Sequence, residues 1–150
     1  MSLVAEELRW KRDPMPITYS ISREQNRVTA FATGIIRADD LHGLTRALLA
    51  DPGLVPGLRG LYDSRLAEPD ITIMQLAEVA GEVRQLLNRG LGRIAIVAQS
   101  QNTYRVAKTF TVLARAIGVD VDVFKELPEA EAWLNEDNDV SGTDEMLLPR

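Results

Sequence analysis

The chain has 150 residues, 45% hydrophobic and 26% charged, with a formal net charge of −5, a mixture that builds one ordinary globular domain and excludes disordered or collagen-like classes for its main body. It contains no cysteine, which removes thiol catalysis, disulfides and cysteine-based zinc sites together and suits a reducing cytoplasm. The acidic excess is local: residues 136–150 hold five acidic residues and one basic, while residues 1–135 hold 17 acidic and 16 basic.

In chain order, Ile17 to Ser22 (ITYSIS) alternates apolar and polar residues, and Val28 to Gly34 (VTAFATG) does so again after the polar stretch Arg23 to Asn26. Alternation on both sides of a short polar loop predicts an antiparallel hairpin with one face buried. Asp39 and Asp40 open a helix in which Leu41, Leu44 and Leu48 recur at helical spacing, their carboxylates favourable at its N-terminus. It stops at Asp51-Pro52-Gly53, and Gly60 to Asp63 reads as a buried third strand.

A second helix is expected from Thr72 to Asn88, with Ile73, Leu76, Ala77, Ala80, Val83 and Leu87 on one face and Gly90 after its end. Ile94 to Ala98 predicts strand four, and Asn102 to Ala116 a third helix ended by Gly118. In strand five Val119, Val121 and Val123 alternate with Asp120 and Asp122, a polar face that suits a sheet edge. Pro128 starts a last helix carrying Ala132, Trp133 and Leu134. The fold class is therefore α/β, a single open mixed sheet in the order β-β-α-β-α-β-α-β-α, a hairpin followed by right-handed β-α crossovers.

The expected division is an N-terminal extension over 1–16, the α/β domain over 17–135 and an acidic, disordered tail over 136–150. No apolar run reaches transmembrane length, and the opening MSLVAEELRWKRD lacks the apolar core of a signal peptide, so the expected location is cytoplasmic. A nearly neutral body has no bulk basic excess for a phosphate backbone, which argues against a nucleic-acid partner. The edge strand makes a homodimer a further expectation.

Taken together, the hairpin and Asp39-Asp40-Leu41 helix, the strand ending Leu61-Tyr62-Asp63, the Arg93-to-Ala98 strand and the ending VFKELPEAEAWL resemble the SpoIIAA-like (STAS-like) superfamily. The likeness is to its bacterial stand-alone proteins, whose last strand ends in Val-Phe and is followed by an acidic, alanine-containing turn and a Trp-Leu, here Val123-Phe124 and Trp133-Leu134. It covers residues 17–134. The resemblance implies a non-enzymatic regulatory module with a protein partner, switched by phosphorylation of a Ser or Thr in an Asp-Ser-Ser-Gly type motif at the start of the second helix. The corresponding place reads Asp70-Ile71-Thr72-Ile73, which makes Thr72 the phosphoacceptor candidate, although Ile71 and Ile73 replace the small residues that let a kinase approach. Thr72 and Gln75 also satisfy capping-box spacing, in which the hydroxyl serves the helix alone.

A second resemblance is to receiver domains of two-component signalling. Asp39, Asp40, Asp63, Ser100 and Lys125 could supply the carboxylates, hydroxyl and lysine for a magnesium ion and an aspartyl phosphate, but Pro128 follows Lys125 by three positions and not directly. No phosphate-cradling glycine motif follows a strand, and no nucleophile elbow accompanies the sole histidine, His42, which is expected in solvent at a helix opening. No catalytic residue, metal site or cofactor is therefore assigned. The loop Gln99 to Arg105 gathers amides, hydroxyls and an arginine at a strand's carboxyl end, a natural place for a polar ligand, or simply the cap of the third helix.

Three functions follow as expectations. The first is an interaction module whose rim is Asp63, Ser64, Arg65, Asp70 and Thr72 with Ser100, Asn102, Thr103 and Arg105. The second is a carrier of a small apolar molecule or lipid, because relatives of this fold resemble CRAL-TRIO lipid-transfer domains and Val112, Leu147 and Leu148 could extend an apolar surface. The third is the receiver-like phosphoacceptor.

Overall fold

In the computed structural model, which describes residues 16–136, the two alternating segments pair as an antiparallel hairpin, β1 (Ile17–Ser22) with β2 (Arg27–Arg37), from Ile17 opposite Ala32 to Ser22 opposite Arg27. Asn26 closes the turn at φ 55°, a left-handed conformation that asparagine tolerates. Alternation then sorts the strand: Val28, Ala30 and Ala32 are buried and Phe31 points away. Helix α1 (Ala38–Leu49) begins with the Arg37 N–H donating to the Asp40 carboxylate at 2.8 Å.

Strand β3 (Arg59–Asp70) lies parallel to β2 and runs seven residues past the expected end at Asp63. Its extension has a physical reason for escaping a pattern-based reading. A bulge interrupts the register between Phe31 and Thr33, which breaks the period-2 alternation, and beyond it β3 pairs with β2 alone, because β4 (Ile94–Val97) matches only Gly60 to Asp63. Pro69 is tolerated opposite Ile36 because one side of β3 has no ladder to break there. The result is a two-stranded parallel ribbon, Thr33–Arg37 against Leu66–Asp70, projecting past the other strands.

Helix α2 (Ile73–Asn88), β4, helix α3 (Gln101–Ala116), β5 (Val121–Phe124) and helix α4 (Leu127–Leu134) complete the chain, with all pairings after the hairpin parallel and strand order 1-2-3-4-5. β5 is an edge, as its polar face predicted. Pro128 lies in the first turn of α4, where its missing N–H costs nothing.

Helices α1, α2 and α3 cover one face of the sheet through Val28, Ala30, Ile96, Val121 and Val123. Among the described residues, helix α4 alone covers part of the other, burying Ala130 and Leu134 on Leu61, Ala95 and Val97. Arginines from three strand starts anchor the end of α4. Arg93 donates to the Trp133 carbonyl at 3.0 Å with its guanidinium 4.3 Å from the Trp133 ring centroid, Arg59 donates to the Leu134 carbonyl, and Arg27 donates to Asn135 at 3.1 Å. Cations at a helix C-terminus satisfy carbonyls with no intrahelical partner and oppose the helix dipole. His42, expected in solvent, is instead largely covered and joined to Glu82 at 2.7 Å, tying α1 to α2.

Between the sheet and the three-helix layer lies an apolar cavity of about 150 Å³. Its floor holds small residues, Ala30, Gly60 and Ala67, under Leu76, Val79 and Val83 of α2.

Candidate functional site

The residues expected to share one rim are divided by the sheet. Asp63 and Arg65 occupy the α4 face: the Arg65 Nε and Nη2 donate to the two Asp63 carboxylate oxygens at 2.9 and 2.7 Å, and the Arg65 backbone N–H adds a contact of 3.1 Å. Asp63 is only 7% exposed. Burial by itself would raise its pKa, but the arginine and backbone hydrogen bonds outweigh it and hold the carboxyl below the usual range. The carboxylates of Glu126 and Glu131 lie near enough to Arg65 to reinforce its charge.

Ser64, between them in sequence, points to the opposite face and is buried, its hydroxyl donating to the Val97 carbonyl at 2.7 Å. Thr103 is buried as well and donates to the Ala67 carbonyl at 3.0 Å. These two bonds fasten the β3 ribbon to the β4–α3 junction, so both residues are structural connections and not rim contacts. Ser100 is the N-cap of α3, accepting from the Thr103 N–H at 3.2 Å, while exposed Asn102 and Arg105 bond each other at 3.1 Å. The Gln99-to-Arg105 segment thus realises its capping alternative.

Thr72 caps α2 as the spacing predicts. Its Oγ1 accepts from the Gln75 N–H at 3.1 Å and the Gln75 side chain accepts from the Thr72 N–H at 2.9 Å. Asp70 forms an exposed pair with Arg37 at 3.6 Å. Val112 is exposed on α3, whereas Leu147 and Leu148 lie outside the described residues, as do nearly all of the expected extension and tail.

Sequence reasoning missed the apolar part of the α4 face. Helix α4 has eight residues and packs on β3, β4 and β5, meeting β2 through the Arg27–Glu131 ion pair, so among the described residues nothing covers the outer face of β2 beyond its start or the ribbon. Phe31, Ile35 and Leu66 emerge there, 39%, 55% and 66% exposed. Phe31 is opposite Asp63 and Thr33 opposite Leu66, so the three side chains surround Thr33 beside the Asp63–Arg65 pair. The signal in the sequence was the pair Phe31 and Ile35 at outward positions of strand two, among Arg27, Thr29, Thr33 and Arg37, where a solvated face calls for polar residues.

The receiver-like set does not assemble. Receiver sheets follow the order 2-1-3-4-5, whereas here an antiparallel β1 occupies the edge of a 1-2-3-4-5 sheet. Asp63 is already paired with Arg65, Lys125 lies 4.9 Å from the Tyr104 ring centroid, and no group of three or more acidic or histidine side chains among the described residues could hold a metal ion.

Two solved structures share this arrangement. An uncharacterized protein of the DUF3478 family with a SpoIIAA-like fold, from Shewanella loihica PV-4, superposes with a TM-score of 0.54 at 20% identity, over 79% of this chain and 93% of that one. The fold is SpoIIAA-like. An anti-sigma factor antagonist from Mycobacterium paratuberculosis matches this SpoIIAA-like chain with a TM-score of 0.55 at 18% identity, over 82% of it and 97% of the antagonist. No family model matches the sequence, and no curated protein matches it. Among the described residues, no helix of the SpoIIAA-like fold is long and apolar enough to cross a membrane.

Proposed function

We propose that this protein is a non-enzymatic regulatory module that binds a protein partner through the open α4-side face of its sheet. The observation that carries the reading is the contiguous exposure of Phe31, Ile35 and Leu66 beside a neutralised Asp63–Arg65 pair. Such a surface gathers three apolar side chains about Thr33 and has Thr29 and Glu68 at its margin, so that apolar contact area lies inside a polar border, as in a protein interface. The likeness to an anti-sigma factor antagonist supports a protein as partner. A second copy of this chain is the homodimeric form of the same reading.

Thr72 remains the phosphoacceptor of this reading. It is exposed, and an added phosphate at a helix N-terminus meets free N–H groups and a favourable dipole. The flanking Ile71 and Ile73 distinguish it from the motif of switched relatives.

The test is quantitative capture from extract of the native host with wild type and with the double variant Ile35→Glu/Leu66→Glu. These side chains already face solvent, so the variant should keep its unfolding midpoint while its specific partner is depleted at least ten-fold. Equal recovery of every protein by the two baits would sink the reading. Light scattering of the free chain separates a foreign partner from a dimer.

A further inference from the structure

The part of the sequence before Pro16 is attached beside the open apolar face. We infer that this segment, residues 1–15, folds back over Phe31, Ile35 and Leu66 with Trp10 as its anchor, and so competes with the partner for that surface. The competition rests on the partner-binding reading; the docking does not.

Attachment is the first argument. The Pro16 carbonyl accepts from the Thr33 N–H at 2.9 Å, and Thr33 is the residue that Phe31, Ile35 and Leu66 surround. Residue 15 therefore begins beside the patch. Hydrogen-bonded pairs recur at every second residue of an antiparallel ladder, so the next bond past Thr33 would join Ile35 to residue 14. Residue 14 is a second proline, and neither Pro14 nor Pro16 has an N–H to return. Gly34, between Thr33 and Ile35, has φ 74°, outside strand geometry. A longer β1 along this edge is thus disfavoured, and β1 accordingly begins at Ile17.

Composition is the second argument. Leu3, Val4, Leu8, Trp10 and Met15 give the segment its apolar content, while Glu6, Glu7 and Asp13 balance Arg9, Lys11 and Arg12 to no net charge. A neutral, apolar segment suits a patch whose bordering charges are paired, Asp63 with Arg65 and Asp70 with Arg37. Reach is ample: the stretch from Trp10 to Pro16 spans up to about 20 Å when extended, whereas the patch lies within roughly 10 Å of Thr33. A tether this short gives an effective concentration on the order of millimolar, so a modest contact covers the face in the free chain.

The other end of the chain is a poorer occupant. Residues 137–150 hold four acidic residues and one basic, and they follow Glu136 at the opposite end of the strands, where Arg27, Arg59 and Arg93 gather. Their charge suits those arginines and not the exposed Glu68 beside the patch.

The test uses the full chain, whose lack of cysteine lets Glu6→Cys carry a nitroxide at one known place. Its paramagnetic broadening of amide NMR signals should be strongest at Phe31, Ile35 and Leu66. Trp10→Ala, by removing an aromatic anchor, should lower the docking constant about ten-fold and relieve the broadening. Ile35→Glu/Leu66→Glu should relieve it too. An undocked tether of equal length would broaden wild type and Trp10→Ala alike, which would overturn the inference. So would broadening confined to residues 16–20 or centred on the face under α1, α2 and α3. Broadening from a label at Asp139→Cys and not at Glu6→Cys would assign the face to the other end of the chain, and broadening between separately labelled molecules would assign it to a second copy; either result overturns the inference. In capture from extract, Trp10→Ala should raise partner recovery several-fold, and unchanged recovery would overturn the competition. The NMR experiment contains no partner, so its failure strikes the docking alone, while an extract that yields no partner to wild type or to Trp10→Ala strikes the partner-binding reading.

Discussion

Asp63 and Arg65, two residues apart on β3, close a two-pronged ion pair at 2.9 and 2.7 Å in which the carboxylate is buried and the guanidinium partly exposed. Residues i and i+2 share a face of a strand, so the pair is built locally, but only the fold buries it.

Arg65→Ala should therefore destabilise the protein by about 2 kcal/mol at neutral pH, because it leaves a buried carboxylate without its partner. The wild-type Asp63 pKa is lowered, so its stabilising contribution is present above the unfolded value, near ~3.9, and is lost as pH falls through the lower folded value. In Arg65→Ala the backbone N–H of residue 65 still bonds the carboxylate, but burial is the larger effect and now raises the pKa, so that variant recovers stability on acidification. Urea unfolding at pH 6 and pH 3 should show the gap between the two proteins shrinking; a constant gap would show that the pair has no electrostatic role.

Thr72→Ala should cost about 1 kcal/mol by deleting the cap of α2, whereas Thr72→Ser and Thr72→Asp, both good caps, should stay within about 0.5 kcal/mol of wild type. Thermal unfolding distinguishes them. A destabilised Thr72→Asp would mean that a negative charge is not accepted at this helix start, against the phosphoacceptor reading.

Gly90→Ala is expected to cost at least about 2 kcal/mol. Gly90 has φ +101°, and an added Cβ would come within 2.6 Å of the Pro56 backbone, which the Gly57 N–H bond to the Gly90 carbonyl holds nearby. Wild-type stability on urea unfolding of the variant would contradict this packing.

Arg93→Lys keeps the charge but loses the flat guanidinium over Trp133, so we expect a loss of about 1 kcal/mol, or roughly 4 °C in melting temperature. Calorimetry reads it directly, and an unchanged melting point would show that Leu134 and Ala130 hold α4 without it.

Much of the fold was legible from local patterns. Alternation marked the hairpin, the Thr72–Gln75 spacing marked the cap of α2, Val-Asp alternation marked the edge strand, and Pro128 marked the start of α4. The candidate site was less so. Ser64 and Thr103 looked like neighbours of Asp63 and Arg105 on one rim, yet Ser64 donates to the Val97 carbonyl of β4 and Thr103, from α3, to the Ala67 carbonyl of β3. His42 looked solvated because its partner, Glu82, belongs to a different helix.

The sequence by itself determined which segments are strands and helices, where helices begin and end, and that strand five has one polar face, because propensity, capping and periodicity act over a few neighbouring residues. The tertiary structure decided how far β3 extends past its bulge, which sheet face α4 leaves open around Phe31, Ile35 and Leu66, and that small floor residues leave a cavity beside Tyr62. Those depend on register and on how elements distant in sequence cover one another, and no local pattern encodes them.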